Sequence, residues 1–153
     1  MIYNTDRPTY TIEQHQLRFE DIVSDARAFN LDTQASDSAC VRRDWSSRRQ
    51  YAEEFQTVRI DVGRCVGKTR YICEHATKCD VVITHSWEAR NWYNTNSGAP
   101  VIPACLLTQQ NAIFCPQAAV VFVDEVSLMS DREIDAIYER FSTAKVEQFV
   151  FLG

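Results

Sequence analysis

"VRIDVGRCVGKTRYI", residues 58–72, is the stretch on which the fold turns. It leaves a short β-prone run, passes through a loop bearing Gly63 and Gly67, and continues through Lys68 and Thr69 into a helix-compatible segment. A strand, a glycine loop and a helix start in that order suit phosphate. Consecutive backbone N–H groups at the helix N-terminus point at phosphate oxygens, and glycine admits the close approach. Lysine adds charge, and a neighbouring threonine offers a hydroxyl to Mg²⁺. Against the pattern G-x-x-x-x-G-K-[ST] the first glycine is out of place: Val62 stands there and Gly63 follows one residue later. Gly-Lys-Thr alone recurs by chance, so the reading needs a second half.

That half ends in Asp124, 56 residues beyond Lys68, and Glu125. Four apolar residues, Val120 to Val123, lead into Asp124 and Glu125. A carboxylate ending a buried strand beside the loop can hold magnesium through its water shell. An acidic residue directly after it can polarise an attacking water. The bland alternative is a strand end that meets solvent.

The intervening chain has the right rhythm. Thr11 and Gln14 form a capping box for an amphipathic helix with apolar positions from Leu17 to Phe29. The polar "NLDTQASDSA" separates it from a second helix at 44–55, with Asp44 as N-cap. A strand is expected at 57–61, a helix from Lys68 to Lys78, a buried strand in "DVVITHS" and a short helix over 86–95. "VIPACLLTQQNAIFCP" predicts two strands joined by a polar turn. Ser130 and Glu133 cap a helix to Ser142, and "VEQFVFLG" gives a last strand. Strand and helix alternate, so the expectation is an α/β, three-layer sandwich with a mostly parallel central sheet. Residues 1–43 are expected as an N-terminal helical segment packed on a core of 44–153.

Composition limits the function classes. The 153 residues fit one domain, and 45% apolar content with four glycines and four prolines suits a compact globule. The formal charge is −5, with eight basic and ten acidic residues in 1–60 and eight and eleven in 61–153. Neither half favours autonomous binding to a phosphate backbone. The local cluster Arg42, Arg43, Arg48 and Arg49 in "VRRDWSSRR" reads as a solvated helix face or a nucleic-acid contact. The six cysteines (40, 65, 73, 79, 105, 115) form no C-x-x-C pair, so buried free thiols in a reducing compartment are expected. The start lacks a secretory pattern and no run reaches membrane-spanning length, which predicts a cytoplasmic protein without a membrane partner.

With both halves on the page, the sequence resembles P-loop NTPases of the RecA-like, additional-strand class, whose second motif ends in Asp-Glu. Within it, "VGRCVGKT" is similar to the loop of phage terminase large subunits, where the first glycine is often absent. Gly63, Arg64, Cys65 and Val66 fit that series. "LLTQQNAIF" resembles the polar hairpin before the acidic motif in terminases and related helicases. The likeness covers about residues 44 to 153. It implies an Mg²⁺-dependent ATP-binding and ATP-hydrolysing domain, of phage or other mobile-element origin and so acting in a host cytoplasm. Gly63 to Thr69 would hold the nucleotide, Lys68 on the β and γ phosphates and Thr69 and Asp124 on magnesium. Glu125 would be the catalytic carboxylate and Arg64 a finger in cis, or else a solvent-facing arginine. "RRQYAEEF" resembles the adenine-reading segment, suggesting Gln50 and Tyr51.

The family continues past the strand that "FVFLG" would form, into a coupling motif and often a second domain. The residues here correspond to the nucleotide-binding half, as a fragment or a minimal protein. Nucleic acid, a larger motor or packaging assembly, a host protein and a homo-oligomer are the partners this implies. The competing class is a non-catalytic module that keeps the fold and docks on a host or partner protein. A small-molecule phosphotransferase ranks third, because Glu follows Asp124 directly and no arginine-rich lid is evident. "TKCD", 77–80, mimics a guanine-reading motif but precedes the acidic strand, which rejects it. His85 and Ser86 end "VVITHS" where open α/β sheets bind ligands, as site neighbours or as a structural polar pair. Trp87, Trp92 and Tyr93 are expected in the core, with base stacking as the alternative.

Overall fold

The computed structural model describes residues 12–63, 67–109, 117–143 and 145–153. Three β-rich runs in this chain show no polar alternation, and such runs need cover on both faces. They become β2 (Val81–Thr84), β4 (Val120–Asp124) and β5 (Gln148–Leu152), buried at every position. β1 (Thr57–Ile60) and β3 (Val101–Pro103) complete a sheet of order β1-β5-β4-β2-β3. Every pairing is parallel, as crossover through helices dictates. β5 therefore lies between β1 and β4, the two strands that carry the loop and the acidic pair.

Successive side chains in a strand point to opposite faces, and the core divides accordingly. Val81, Ile83, Val121, Val123, Phe149 and Phe151 share one buried cluster with Ile137, Tyr138 and Phe141. The latter belong to α7 (Asp131–Phe141). Val58, Ile60, Val82, Phe122, Val150 and Leu152 share the other with Phe19, Val23, Tyr71, Ile72 and Tyr93. These come from α1 (Ile12–Gln34), α4 (Lys68–His75) and α5 (Trp87–Asn96). The molecule is a three-layer α/β sandwich. Full burial of an aromatic such as Phe149 or Phe151 contributes about 1.5–3 kcal/mol, so the two clusters carry most of the stabilisation.

Several boundaries differ from the sequence expectation. α1 continues through the polar "NLDTQ" to Gln34, because those side chains find partners inside the fold. Asn30 Nδ2 donates to the Phe55 carbonyl at 2.7 Å, and Gln34 Nε2 to the Glu147 carbonyl at 2.9 Å. α2 (Asp37–Trp45) follows, capped by Ser36, so the boundary expected at 43/44 falls inside a helix. Asp44 is not an N-cap but lies in the last turn of α2. Ser47 takes that role for α3 (Arg48–Tyr51), in a capping box completed by Gln50. A π-helical turn, Ala52–Gln56, then leads into β1. After β3 the chain turns into α6 (Ala104–Leu107), where the first of the two expected strands would have continued, and the second lies outside the described residues. The buried Ala104 and Leu107 pack under α7, which a strand leaving the sheet could not do.

The capping box at Ser130 and Glu133 has both of its bonds. The one expected at Thr11 and Gln14 lies outside the described residues, as does the end of the predicted polar hairpin. Cys40, Cys73, Cys79 and Cys105 are free thiols, but none is fully buried and Cys79 is exposed. Among the described residues no helix is long and apolar enough to cross a membrane.

Candidate functional site

The register levels the carboxyl ends of three strands, with Ile60 opposite Leu152 and Leu152 opposite Asp124. In open α/β sheets this edge is where ligands bind. Two glycines shape it. Gly63 has φ +82° just past β1, and Gly67 has φ +91° as the N-cap of α4. Both lie in the left-handed region that side-chain-bearing residues rarely adopt. The displaced glycine of the motif is thus required by the local backbone turn. Arg64, Cys65 and Val66 lie outside the described residues.

Lys68 and Thr69 open α4 and face the end of β4. Thr69 Oγ1 donates to Asp124 Oδ2 at 3.1 Å. Lys68, only 5% exposed, sets Nζ 3.2 Å from Glu125 Oε1. The two halves of the motif, 56 residues apart, therefore meet side chain to side chain. Glu125 has φ 54° and ψ 45°, the single positive-φ non-glycine among the described residues. A left-handed conformation at such a residue costs about 1–2 kcal/mol and is tolerated where surrounding contacts over-determine it. Here it turns the chain sharply from β4 into a 3-10 turn, Val126–Leu128, and brings the Glu125 carboxylate to Lys68.

Asp124 has a second hydrogen-bond partner that sequence reasoning missed. The Tyr93 hydroxyl, on α5, donates to Asp124 Oδ2, the oxygen that also accepts from Thr69. The other oxygen, Oδ1, is buried and has no partner. Burial raises the Asp124 carboxyl above the ordinary aspartate range, and the Tyr93 and Thr69 hydrogen bonds oppose that rise. Burial also raises the Tyr93 phenol strongly, reinforced by the Asp124 charge. Tyr93 is thus a fixed hydrogen-bond donor. The available signal was general: a buried tyrosine hydroxyl needs a partner, and Asp124 was the unpaired acceptor nearest in the sheet order.

The remaining candidates separate. Gln50 Oε1 accepts from the Ser47 N–H at 3.3 Å, and Tyr51 is buried with its ring stacked 5.3 Å from Phe55. Tyr51 shares a cavity with Thr143 and Glu147, which precede β5, and so faces the amino edge of the sheet. The structure does not bring Gln50 or Tyr51 to Lys68. Trp87 and Trp92 are corrected from core to surface: each is 49% exposed, because α5 lays its Tyr93 stripe on the sheet and leaves them on its flanks. Ser86 caps α5 through the Ala89 N–H at 3.2 Å, a structural use. His85 directly follows β2, the strand beside β4, and its Nδ1 is buried and unpartnered. In "TKCD", Asp80 accepts from Thr77 and, across the sheet, from the Val120 N–H at 3.2 Å, so it pins a turn to β4.

Comparisons with protein-family models, with curated proteins and with solved structures find no match. The site must be argued from its own chemistry. That chemistry is one buried ammonium, two hydroxyls and two carboxylates where the start of α4 meets the end of β4, with one carboxylate oxygen, Asp124 Oδ1, orphaned.

Proposed function

We propose that this edge binds Mg²⁺-ATP and hydrolyses its terminal phosphoanhydride, in the manner of the P-loop class that the sequence resembles. One observation carries the reading. The hydroxyl of Thr69, at the start of the helix after the glycine loop, is bonded to Asp124 at the end of a strand one place beyond β5. A loop and an acidic strand separated by one inserted strand is the arrangement that the resemblance implies.

The donor set fits the implied metal. Thr69 and Asp124 offer only oxygen, which suits a hard dication, and the buried Oδ1 of Asp124 has no other partner. Mg²⁺ held there would neutralise charge on the phosphate oxygens. The chain's own groups do the rest. Backbone N–H groups at the start of α4 face the phosphates, and Lys68 exchanges its ion pair with Glu125 for the terminal phosphate. That exchange releases the Glu125 carboxylate. It accepts a proton from water as the water oxygen attacks the γ-phosphorus and ADP leaves. Tyr93 keeps Asp124 oriented through its hydrogen bond.

The same ion pair favours a second reading. Lys68 and Glu125 neutralise each other, so the fold can stand as a non-catalytic module that docks on a partner. Measuring Mg²⁺-ATP binding and turnover for the wild type, Lys68→Ala and Glu125→Gln separates the two. Turnover that Glu125→Gln abolishes supports the ATPase. Binding without turnover, indifferent to Glu125→Gln, favours the module, and absence of binding removes the loop assignment. Stimulation of turnover by added DNA would extend the reading to a nucleic-acid motor core of terminase or helicase type.

A further inference from the structure

The arginines of "VRRDWSSRR" do not act as one patch. Neighbouring helical residues point about 100° apart, so each adjacent pair must divide. Arg42 is held by Glu54 at 2.8 Å, and Arg49 by Glu53, Asp135 and Glu139. Among the described residues, no carboxylate pairs with Arg43 or Arg48. Both instead line one cavity of about 400 Å³ between the end of α1, the α2–α3 corner and the chain entering β5. Small-molecule sites have volumes of roughly 300–1,000 Å³, so the space is adequate for a compact ligand.

Its other walls are mixed: Gln34, Gln56, Thr143 and Glu147 stand beside Val146 and Tyr51. Tyr51 closes the floor: burial raises its phenol and the Arg43 charge opposes that rise, which puts the guanidinium's field at the ring. Gln34 is fixed in place by its bond to the Glu147 carbonyl. Glu147 supplies the cavity's one carboxylate, so two cations face one anion. Two guanidinium groups without carboxylate partners suit the oxygens of a phosphate. A single carboxylate beside them suits hydroxyl donors and disfavours a polyanion.

From this we infer that the cavity at the amino edge of the sheet is a second ligand site, taking a small phosphomonoester that also carries hydroxyl groups, such as a sugar phosphate. Arg43 and Arg48 hold the phosphate, and Glu147 accepts from the ligand's hydroxyls. The site is separate from Lys68, which lies at the opposite edge.

Calorimetric titration with ribose 5-phosphate, and with citrate as the polycarboxylate, tests this. Arg43→Gln combined with Arg48→Gln should weaken ribose 5-phosphate binding at least about tenfold, since each charge-assisted bond is among the stronger kinds. Arg48→Gln alone should weaken it about fivefold, the loss of one charge-assisted contact. Because Arg48 has no carboxylate partner among the described residues, that variant should fold normally, and it tests the site even where the double variant fails to fold. Lys68→Ala should leave this binding unchanged. The inference is overturned if ribose 5-phosphate does not bind at about 10 mM. It is equally overturned if citrate binds as tightly, or if Arg42→Gln weakens binding as much as the double variant, which would show a diffuse surface charge.

Discussion

The two edges of the sheet handle charge in opposite ways. At the carboxyl edge Lys68 meets Glu125 and Thr69 meets Asp124, so the charged groups are partnered within the chain, while Asp124 Oδ1 and His85 Nδ1 stay unpartnered. At the amino edge Arg43 and Arg48 face a cavity with no carboxylate upon them. The lesson concerns what a ligand must do in each place. A ligand at the first edge has to displace existing contacts, so its binding reorganises the site and can drive chemistry. A ligand at the second edge adds to what is already there.

Glu125→Gln should break this contrast most visibly. It removes the carboxylate proposed to take the proton while keeping size and the hydrogen bond to Lys68. Turnover should fall by about 10²–10⁴-fold, the usual worth of a general base, with ATP affinity kept or improved. Single-turnover measurement beside equilibrium binding checks the split. Equal losses in both would mean that Glu125 serves binding alone.

The amino edge is anchored by a network whose failure would be structural. Gln148, 1% exposed on β5, accepts from Arg27 Nε at 3.0 Å and donates to the Arg27 carbonyl at 2.8 Å and to Asn30 Oδ1 at 3.1 Å. Arg27 also donates to the Tyr71 hydroxyl at 3.1 Å. Gln148→Ala strands these groups beneath α1 and should cost about 2–3 kcal/mol, read from the urea midpoint. A loss confined to the α1 amides in hydrogen exchange would show that the helix detaches locally while the sheet stays intact.

Asp124→Asn reverses the sign at the other edge. The buried carboxylate keeps one oxygen unpaired, and burying such a group opposes folding. Asparagine retains the acceptor for Tyr93 and Thr69 without the charge. The metal-free variant should gain about 1 kcal/mol, a rise in Tm of roughly 2–4 °C. Mg²⁺ with ATP should raise the Tm of the wild type and not of the variant. A destabilised Asp124→Asn would show that the carboxylate is fully satisfied, against the orphaned oxygen.

How much of this was legible follows from what each signal encodes. The strands β2, β4 and β5 were plain because continuous apolar runs of that length have one use in a parallel sheet. Lys68, Thr69, Asp124 and Glu125 were legible because strand and helix context fixes where their side chains emerge. Tyr93 was not: periodicity places it in the core correctly but says nothing of where its hydroxyl ends. The helix α6 was hidden because "ACLL" is short and apolar, equally suited to either element until α7 lies over it. Asp44 competed with Ser47 as a cap, and the Ser-x-x-Gln spacing that decides for Ser47 was overlooked. The pairing of arginines depends on carboxylates as far away in sequence as Asp135 and Glu139, which no local pattern reveals.

That pairing gives the finest test of the comparison. Arg49 joins α3 to α7 through Asp135 and Glu139, and it also holds Glu53 on its own helix turn. All four side chains are at least a third exposed, so solvent screens each pair, and an isolated surface ion pair contributes about 0–1 kcal/mol. Three carboxylates on one guanidinium put Arg49→Gln toward the upper part of that range. The effect should shrink as salt is raised toward 1 M, where the Debye length falls to about 3 Å. Arg48→Gln, next door on the same helix, has no pair to lose and should leave the ligand-free protein's urea midpoint unchanged at any salt. A salt-sensitive loss in Arg48→Gln equal to that in Arg49→Gln would mean that Arg48 has a carboxylate partner in solution. The amino edge would then be neutralised within the chain, as the carboxyl edge is, and the contrast between them would disappear.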